Sequence, residues 1–234
     1  MVQQAWKNRY NIFVVGGDNG YANWIPGEIV RNLEDADVVL FTGGEDVTPS
    51  FYGKLTNPKT GNNIGRDIRE KEIFDRAQEL GKHCLGICRG SQYLCCMSGG
   101  NLVQHQENPL CIHNMMTYDD TTIQVTSTHH QAQHPWNLPA NEFKVLGWTT
   151  GISPIHEGES AADELRMPNG KECEIVFYRK TKSLGIQCHP EMMLGKEALK
   201  PSLDYIKNMF IKFMNNVYDD TRIPARINNF NNVL

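Results

Sequence analysis

Three short apolar runs restrict this chain more than any other feature: NIFVVGG at 11–17, DVVLFTGG at 37–44 and HCLGI at 83–87. Each is continuous rather than alternating, and the first two end in a glycine pair. Strands that are apolar on both faces belong in a parallel sheet covered by helices on either side. Between the second and third runs, RDIREKEIFDRAQELG (66–81) places Ile68, Ile73, Phe74, Ala77 and Leu80 at helical spacing, with Gly81 as a stop. After HCLGI, GSQYLCCMSGG begins another helix. The order strand, strand, helix, strand, helix predicts a wound α/β fold.

The second half differs. TTIQVTST, FKVLGWTT, CEIVFYRK and SLGIQCH are strand-like runs between turn-rich segments, and YRKTKS reads as a hairpin connection. Helical spacing returns over 196–217, at Leu199, Leu203, Ile206, Met209, Phe210 and Phe213. The expected architecture is α/β, with a wound, mostly parallel central sheet flanked by helices and antiparallel strands added in the second half. No repeat or linker divides the chain, so a single domain over 1–234 is expected, with residues 218–234 as a loose polar tail or surface strap.

Composition narrows the function classes. With 234 residues the chain is long enough for a sizeable core. A formal charge of −4 with interspersed signs advertises neither nucleic acid nor an anionic membrane as partner. No apolar run approaches the roughly 18 residues of a membrane span, and the start lacks the layout of a signal peptide. Seven irregularly spaced cysteines, including adjacent Cys95 and Cys96, argue against a secreted disulfide scaffold and for a reducing cytoplasm. No metal is expected. There is no C-x-x-C and no H-E-x-x-H, and the glycines around Cys88 prevent one continuous helix from presenting Cys84 and Cys88 together.

Gly86-Ile87-Cys88-Arg89-Gly90 has the form of a nucleophile elbow between a strand and a helix. Such a turn lifts its central side chain above the sheet. A helix starting there aims free N–H groups and its positive end at the sulfur, which favours thiolate. The N–H of Arg89 is then placed to donate to an oxyanion. The alternative is a buried structural thiol, the reading given to Cys95 and Cys96. A nucleophilic cysteine needs a base. His189 follows the apolar run SLGIQC, at the carboxyl end of a strand, where open α/β sheets place their chemistry. Pro190 keeps its backbone extended, and Glu191, two residues on, lies on the same side to hold the imidazole. Histidines at 113, 129, 130, 134 and 156 compete, so position alone does not elect one.

GICRGSQ followed far downstream by QCHPE resembles the class I glutamine amidotransferase superfamily. FTGGEDVTPSFYG, RDIRE and STHHQ resemble, in the same order, the glycine-pair loop, R-D-x-x-E signature and S-x-H-H-Q segment of its gamma-glutamyl hydrolase-like branch, which includes gamma-glutamyl-gamma-aminobutyrate hydrolase-like cysteine peptidases. The resemblance spans residues 41 to 191. It implies a flavodoxin-like fold without cofactor, in which Cys88 attacks the γ-carbonyl of glutamine or a γ-glutamyl amide. His189 then serves as acid and base, held by Glu191. By the same resemblance the oxyanion lies between the N–H groups of Arg89 and Gly44, and Gln92, Ser127, His129 and His130 bind the glutamyl end. For Asp67 and Glu70, and for Arg66 and Arg69, a solvated helix face and direct contact remain open.

The chain also departs from that pattern. Only about twenty residues separate NIFVVGG from DVVLFTGG, where the family has another strand and helix. The expectation is a sheet trimmed at one edge, with GGDNGYANWIPGE as a distinctive loop. Three functions stay open: a free-standing γ-glutamyl amide hydrolase, a glutaminase subunit feeding ammonia to a partner synthetase or nucleotide-modifying enzyme, and a non-enzymatic binding protein. The leaving amine and the oligomeric state are not legible.

Overall fold

The computed structural model describes residues 9–107 and 111–219. Thirteen strands and three α-helices follow in chain order: β1 (Tyr10–Val15), β2 (Gly27–Ile29), β3 (Val38–Phe41), α1 (Ile64–Glu79), β4 (His83–Ile87), α2 (Arg89–Met97), β5 (Asn101–Val103), β6 (His105–Gln106), β7 (Cys111–Thr117), β8 (Thr122–Ser127), β9 (Ala132–His134), β10 (Phe143–Thr150), β11 (His156–Glu157), β12 (Lys171–Tyr178), β13 (Ser183–Ile186) and α3 (Lys200–Met214).

The main sheet runs β2-β1-β3-β4-β13-β12-β10-β7-β8. The first five are parallel neighbours. From β13 onward the pairing is antiparallel, and the β12–β13 hairpin turns at the predicted YRKTKS segment. β5 and β9 pair off the main path, while β6 and β11 form a separate ribbon. The parallel order, 2-1-3-4-5 counted along those strands, is the flavodoxin-like winding expected from the alternation.

Strand alternation divides the core into two layers. Val38, Leu40, Leu85, Ile87, Leu184 and Ile186 point to the face covered by α3, whose Leu203, Ile206, Phe210 and Phe213 are buried. Val39, Phe41 and Cys84 point to the opposite face, covered by Phe74 and Ala77 of α1 and Tyr93 and Leu94 of α2. Both faces of β3 are fully buried, which is why its sequence is uninterrupted Val-Val-Leu-Phe.

Several expectations need correction. α1 turns Ile73, Phe74, Ala77 and Leu80 to the core as its spacing suggested, but the buried face also takes in two acids and leaves out Ile68. Its buried residues are Asp67, Glu70, Phe74 and Ala77, while Ile68 is half exposed. The third helix is shorter than 196–217, since Glu197–Leu199 forms a separate 3-10 turn ahead of it. The edge beyond β1 is not simply trimmed. A connection from Gly16 to Pro26 brings in β2 as a short parallel edge strand without a crossover helix. Trp24 of this connection is buried edge-on against Phe210, with ring centroids 5.9 Å apart. The start of the expected loose tail is also docked. Tyr218 is buried against Phe177 and Tyr118, and Lys144 Nζ donates to its carbonyl at 2.7 Å. The rest of that tail, 220–234, lies outside the described residues.

The turn between β4 and α2 leaves no room for side chains at its two glycines. A Cβ on Gly86 would collide with the backbone of Gly90, and one on Gly90 with the carbonyl of Phe41 in β3. Gly90→Ala is expected to destabilise the fold by about 2–3 kcal/mol, because the obstacle is backbone that cannot rotate away. Gly53→Ala, where nothing lies within 4 Å and only a positive φ of 70° is strained, should cost about 1 kcal/mol. Urea midpoints of the two variants check the ordering.

Candidate active site

Cys88 sits where β4 ends and α2 begins, with φ 52° and ψ −111°. A non-glycine residue in that region stores about 1–3 kcal/mol and persists only where surrounding structure enforces it. The enforcement is visible. Cys88 N–H donates to Ile186 O at 2.8 Å, and the Ser91 hydroxyl donates to Cys88 O at 2.6 Å. With glycines on both sides, the side chain has one direction left.

That direction meets two different surroundings. On one side is a cavity of about 300 Å³ lined by Gly44, Glu45, Asp46, Lys59, Gly61, Cys88, Arg89, Gln92, Thr128, His129, His130 and Gln131. On the other is His189. β4 and β13 are adjacent and in register, with Gly86 opposite Gly185 and Ile87 opposite Ile186, so residues about a hundred apart in sequence leave the sheet side by side. His189 Nδ1 donates to Glu191 Oε1 at 2.6 Å. Thr126 fixes the histidine backbone: its hydroxyl donates to His189 O at 3.1 Å and accepts from His189 N–H at 3.2 Å. Burial alone would lower the imidazole pKa. Hydrogen bonding to Cys88 and Glu191, with the negative charge on both, raises it to about 10. An imidazolium is therefore the stable form beside the sulfur.

The loop after β3 supplies the facing wall. Gly44 adopts φ 144°, and a Cβ there would overlap the guanidinium of Arg66. Arg66 Nη2 donates to the carbonyls of Thr42 at 3.2 Å and Gly43 at 3.0 Å, while its Nε donates to Glu70 Oε1 at 2.7 Å. The Arg89 side chain turns away from the cavity into the protein, 1% exposed, and pairs with both Asp67 Oδ1 and Glu70 Oε2. Asp67 Oδ2 also accepts from Thr48 N–H at 2.9 Å. The acidic pair of α1 is thus neither a solvated face nor a substrate contact. It is the counter-charge of Arg89, the residue that follows Cys88.

Both the sequence and the fold resemble known proteins. A family model, Peptidase C26, matches residues 22–119, which include Gly44, the α1 acids and the elbow. The glutamine amidotransferase-like protein YvdE of Lactococcus lactis subsp. lactis is 30% identical over 185 residues, covering 71% of this chain and 72% of that protein. This chain belongs to the class I glutamine amidotransferase superfamily. Protein NtpR of Enterococcus hirae is 26% identical over 186 residues, covering 68% of this chain and 69% of that protein. Among solved structures, a glutamine amidotransferase from Thermotoga maritima superposes with TM-score 0.52 at 12% identity, covering 92% of this chain and all of that one. PurLQS from the same organism gives 0.52 at 14% identity, covering 88% of this chain and all of that one. At such identities the likeness is one of fold.

Of the residues expected to bind the glutamyl end, the structure brings Gln92, His129 and His130 to the cavity beside Cys88. The Gln92 amide donates to Gln131 O at 2.9 Å. His129 is buried with Nδ1 2.8 Å from Gln131 O, and burial lowers its pKa. His130 is half exposed and 3.1 Å from Asp46, which raises its pKa. Ser127 is buried at the end of β8 and is not among the lining residues; Thr128 takes that place. Sequence reasoning missed Tyr21. It lies in the short β1–β2 connection, its hydroxyl against Gly43 and its ring 6.2 Å from that of His189. Burial, then the charges of Glu191 and Cys88, raise its pKa, so it remains a neutral donor. The sequence marked GGDNGYANWIPGE as a distinctive loop but gave no signal for Tyr21 itself. Among the described residues, no cluster of three metal-ligating side chains occurs and no helix is long and apolar enough to cross a membrane.

Two outcomes test this reading of the site. Asp67→Ala leaves a buried guanidinium short of one partner and should cost about 3 kcal/mol of stability, measured by urea unfolding. The second concerns His189, whose folded pKa is raised from 6.5 to about 10. The stability from that proton is complete below pH 6.5 and is lost as pH rises through 10. The stability gap between the native protein and Glu191→Gln should therefore narrow steadily from pH 7 to pH 10. A constant gap would place the imidazole proton elsewhere.

Proposed function

We propose that the protein hydrolyses the γ-amide bond of glutamine or a γ-glutamyl amine through a γ-glutamyl thioester, as a member of the gamma-glutamyl hydrolase-like branch acting in the cytoplasm. The observation that carries the reading is the position of Cys88, on a strained elbow between a polar cavity and an imidazole held protonated by a carboxylate. In the first half-reaction Cys88 Sγ bonds to the γ-carbon and the C–N bond breaks. The proton of His189 passes to the departing nitrogen, which leaves as ammonia or an amine. In the second, neutral His189 takes a proton from water, the hydroxide adds to the thioester carbon, and the C–S bond breaks to return thiolate and glutamate. Glu191 holds the imidazole orientation through both.

The negative oxygen formed in each half lies between the N–H groups of Gly44 and Arg89. Each such donor is worth about 3 kcal/mol when fixed beforehand. Gln92, His129 and His130 line the cavity where the glutamyl ammonium and carboxylate bind. Motif detail at FTGGEDVTPSFYG and STHHQ supports a free-standing hydrolase over an ammonia-delivering subunit.

The test is glutamate release by the native protein and Cys88→Ala over glutamine and a panel of γ-glutamyl amines. The expected result is cleavage of at least one γ-glutamyl amine in preference to glutamine, reduced at least about 10³-fold in Cys88→Ala. Turnover of glutamine alone, stimulated by another protein, would instead assign the subunit role. Equal activity in Cys88→Ala would refute the nucleophile.

A further inference from the structure

The two proposed oxyanion donors come from different parts of the chain, the loop after β3 and the start of α2, yet one buried carboxylate touches the supports of both. Glu70 Oε1 accepts from Arg66 Nε at 2.7 Å, and Glu70 Oε2 accepts from Arg89 Nη1. We infer that Glu70 is a positioning residue that sets the distance and direction between the two donors, acting through Arg66 on one side and Arg89 on the other. The inference rests on the amidase chemistry proposed above and adds a residue that touches neither substrate nor sulfur.

The argument on the Gly44 side is one of peptide geometry. In a planar trans peptide the C=O of one residue and the N–H of the next point in opposite directions. Arg66 Nη2 holds the Gly43 carbonyl at 3.0 Å, and the Thr42 carbonyl at 3.2 Å, on the α1 side of the loop. The N–H of Gly44 is thereby turned to the side away from α1, where Gly44 lines the cavity with Cys88. Arg66 is itself aimed by Glu70, one helical turn along α1. On the other side, Glu70 and Asp67 grip the Arg89 guanidinium, which fixes the first residue of α2 and hence its N–H. Both donors are thus referred to α1, a single rigid helix. Strengthening charge without moving dipoles requires such preset supports.

Glu70→Gln and Arg66→Lys test this in the full-length protein. The glutamine keeps the shape of Glu70 but puts a donor opposite a guanidinium. The lysine keeps the charge of Arg66 but lacks the fork that reaches Glu70 and Gly43 together. Two rates are measured: turnover of the γ-glutamyl amide that the native protein cleaves fastest, and alkylation of Cys88 by iodoacetamide, which forms no oxyanion. Both variants should lose about 100-fold in kcat, with KM and the alkylation rate at native values. Asp75→Ala, on the exposed side of α1, should match the native protein in both.

Parallel loss of turnover and alkylation would overturn the inference, because it reports collapse of the whole site. Unchanged turnover would overturn it equally. If the native protein cleaves no amide in the panel, the proposed function fails while positioning remains measurable. Cys88 sulfur adds to the carbonyl carbon of propionaldehyde, with the proton ending on oxygen, and this thiohemiacetal needs the donors but no leaving group. A smaller adduct fraction in both variants supports the role of Glu70, and equal fractions refute it.

Discussion

Burying a guanidinium is among the costliest things a folded chain can do unless charge and geometry are matched around it. Here Arg89 is fully enclosed, and the match comes from two carboxylates one helical turn apart on α1. The position of α1 against β4, the course of the loop after β3 and the start of α2 all depend on that contact. It also explains why the residue next to Cys88 is so large. The backbone of Arg89 belongs to the site, while its side chain anchors that backbone to the next layer of the protein.

The contact bears on how strain is held. Cys88 has a backbone conformation that isolated chains avoid. Its retention requires stiff attachments before and after the turn. Before it stands β4, paired on both sides by β3 and β13. After it stands α2, pinned at its first residue by ion pairs and fitted by Gly90 directly against β3. The position of the sulfur thus rests on backbone placed by the sheet and on side chains facing away from the cavity.

Much of this was legible in the sequence, and the exceptions have physical causes. The elbow could be read because its glycines answer to a steric demand that no other residue meets. Pro190 and the preceding apolar run locate His189 at a strand end, but only the QCHPE resemblance chose it among the histidines. The acidic pair on α1 was ambiguous because charges spaced three apart on a helix look the same whether they face water or a partner. The partner, Arg89, is distant in sequence and only the fold brings it near. Ile68 misled for the converse reason: an apolar residue at helical spacing need not be buried. Strands β5, β6, β9 and β11, two or three residues long, carry too little pattern to be recognised. Tyr21 was illegible because a loop's path is set by what it packs on, here Trp24 against Phe210.

The strand order has a consequence for the timing of assembly. β13 lies between β4 and β12, so the centre of the sheet stays open until residues 183–186 have joined it. As the chain leaves the ribosome from its amino end, the segment bearing Cys88 emerges long before the one bearing His189. The thiol has neither its imidazole nor the neighbouring strand that fixes its turn until residues 183–189 have been made. The surroundings of Cys88 are therefore completed late relative to Cys88 itself, and a copy that stops before residue 183 lacks both the partner strand and the imidazole.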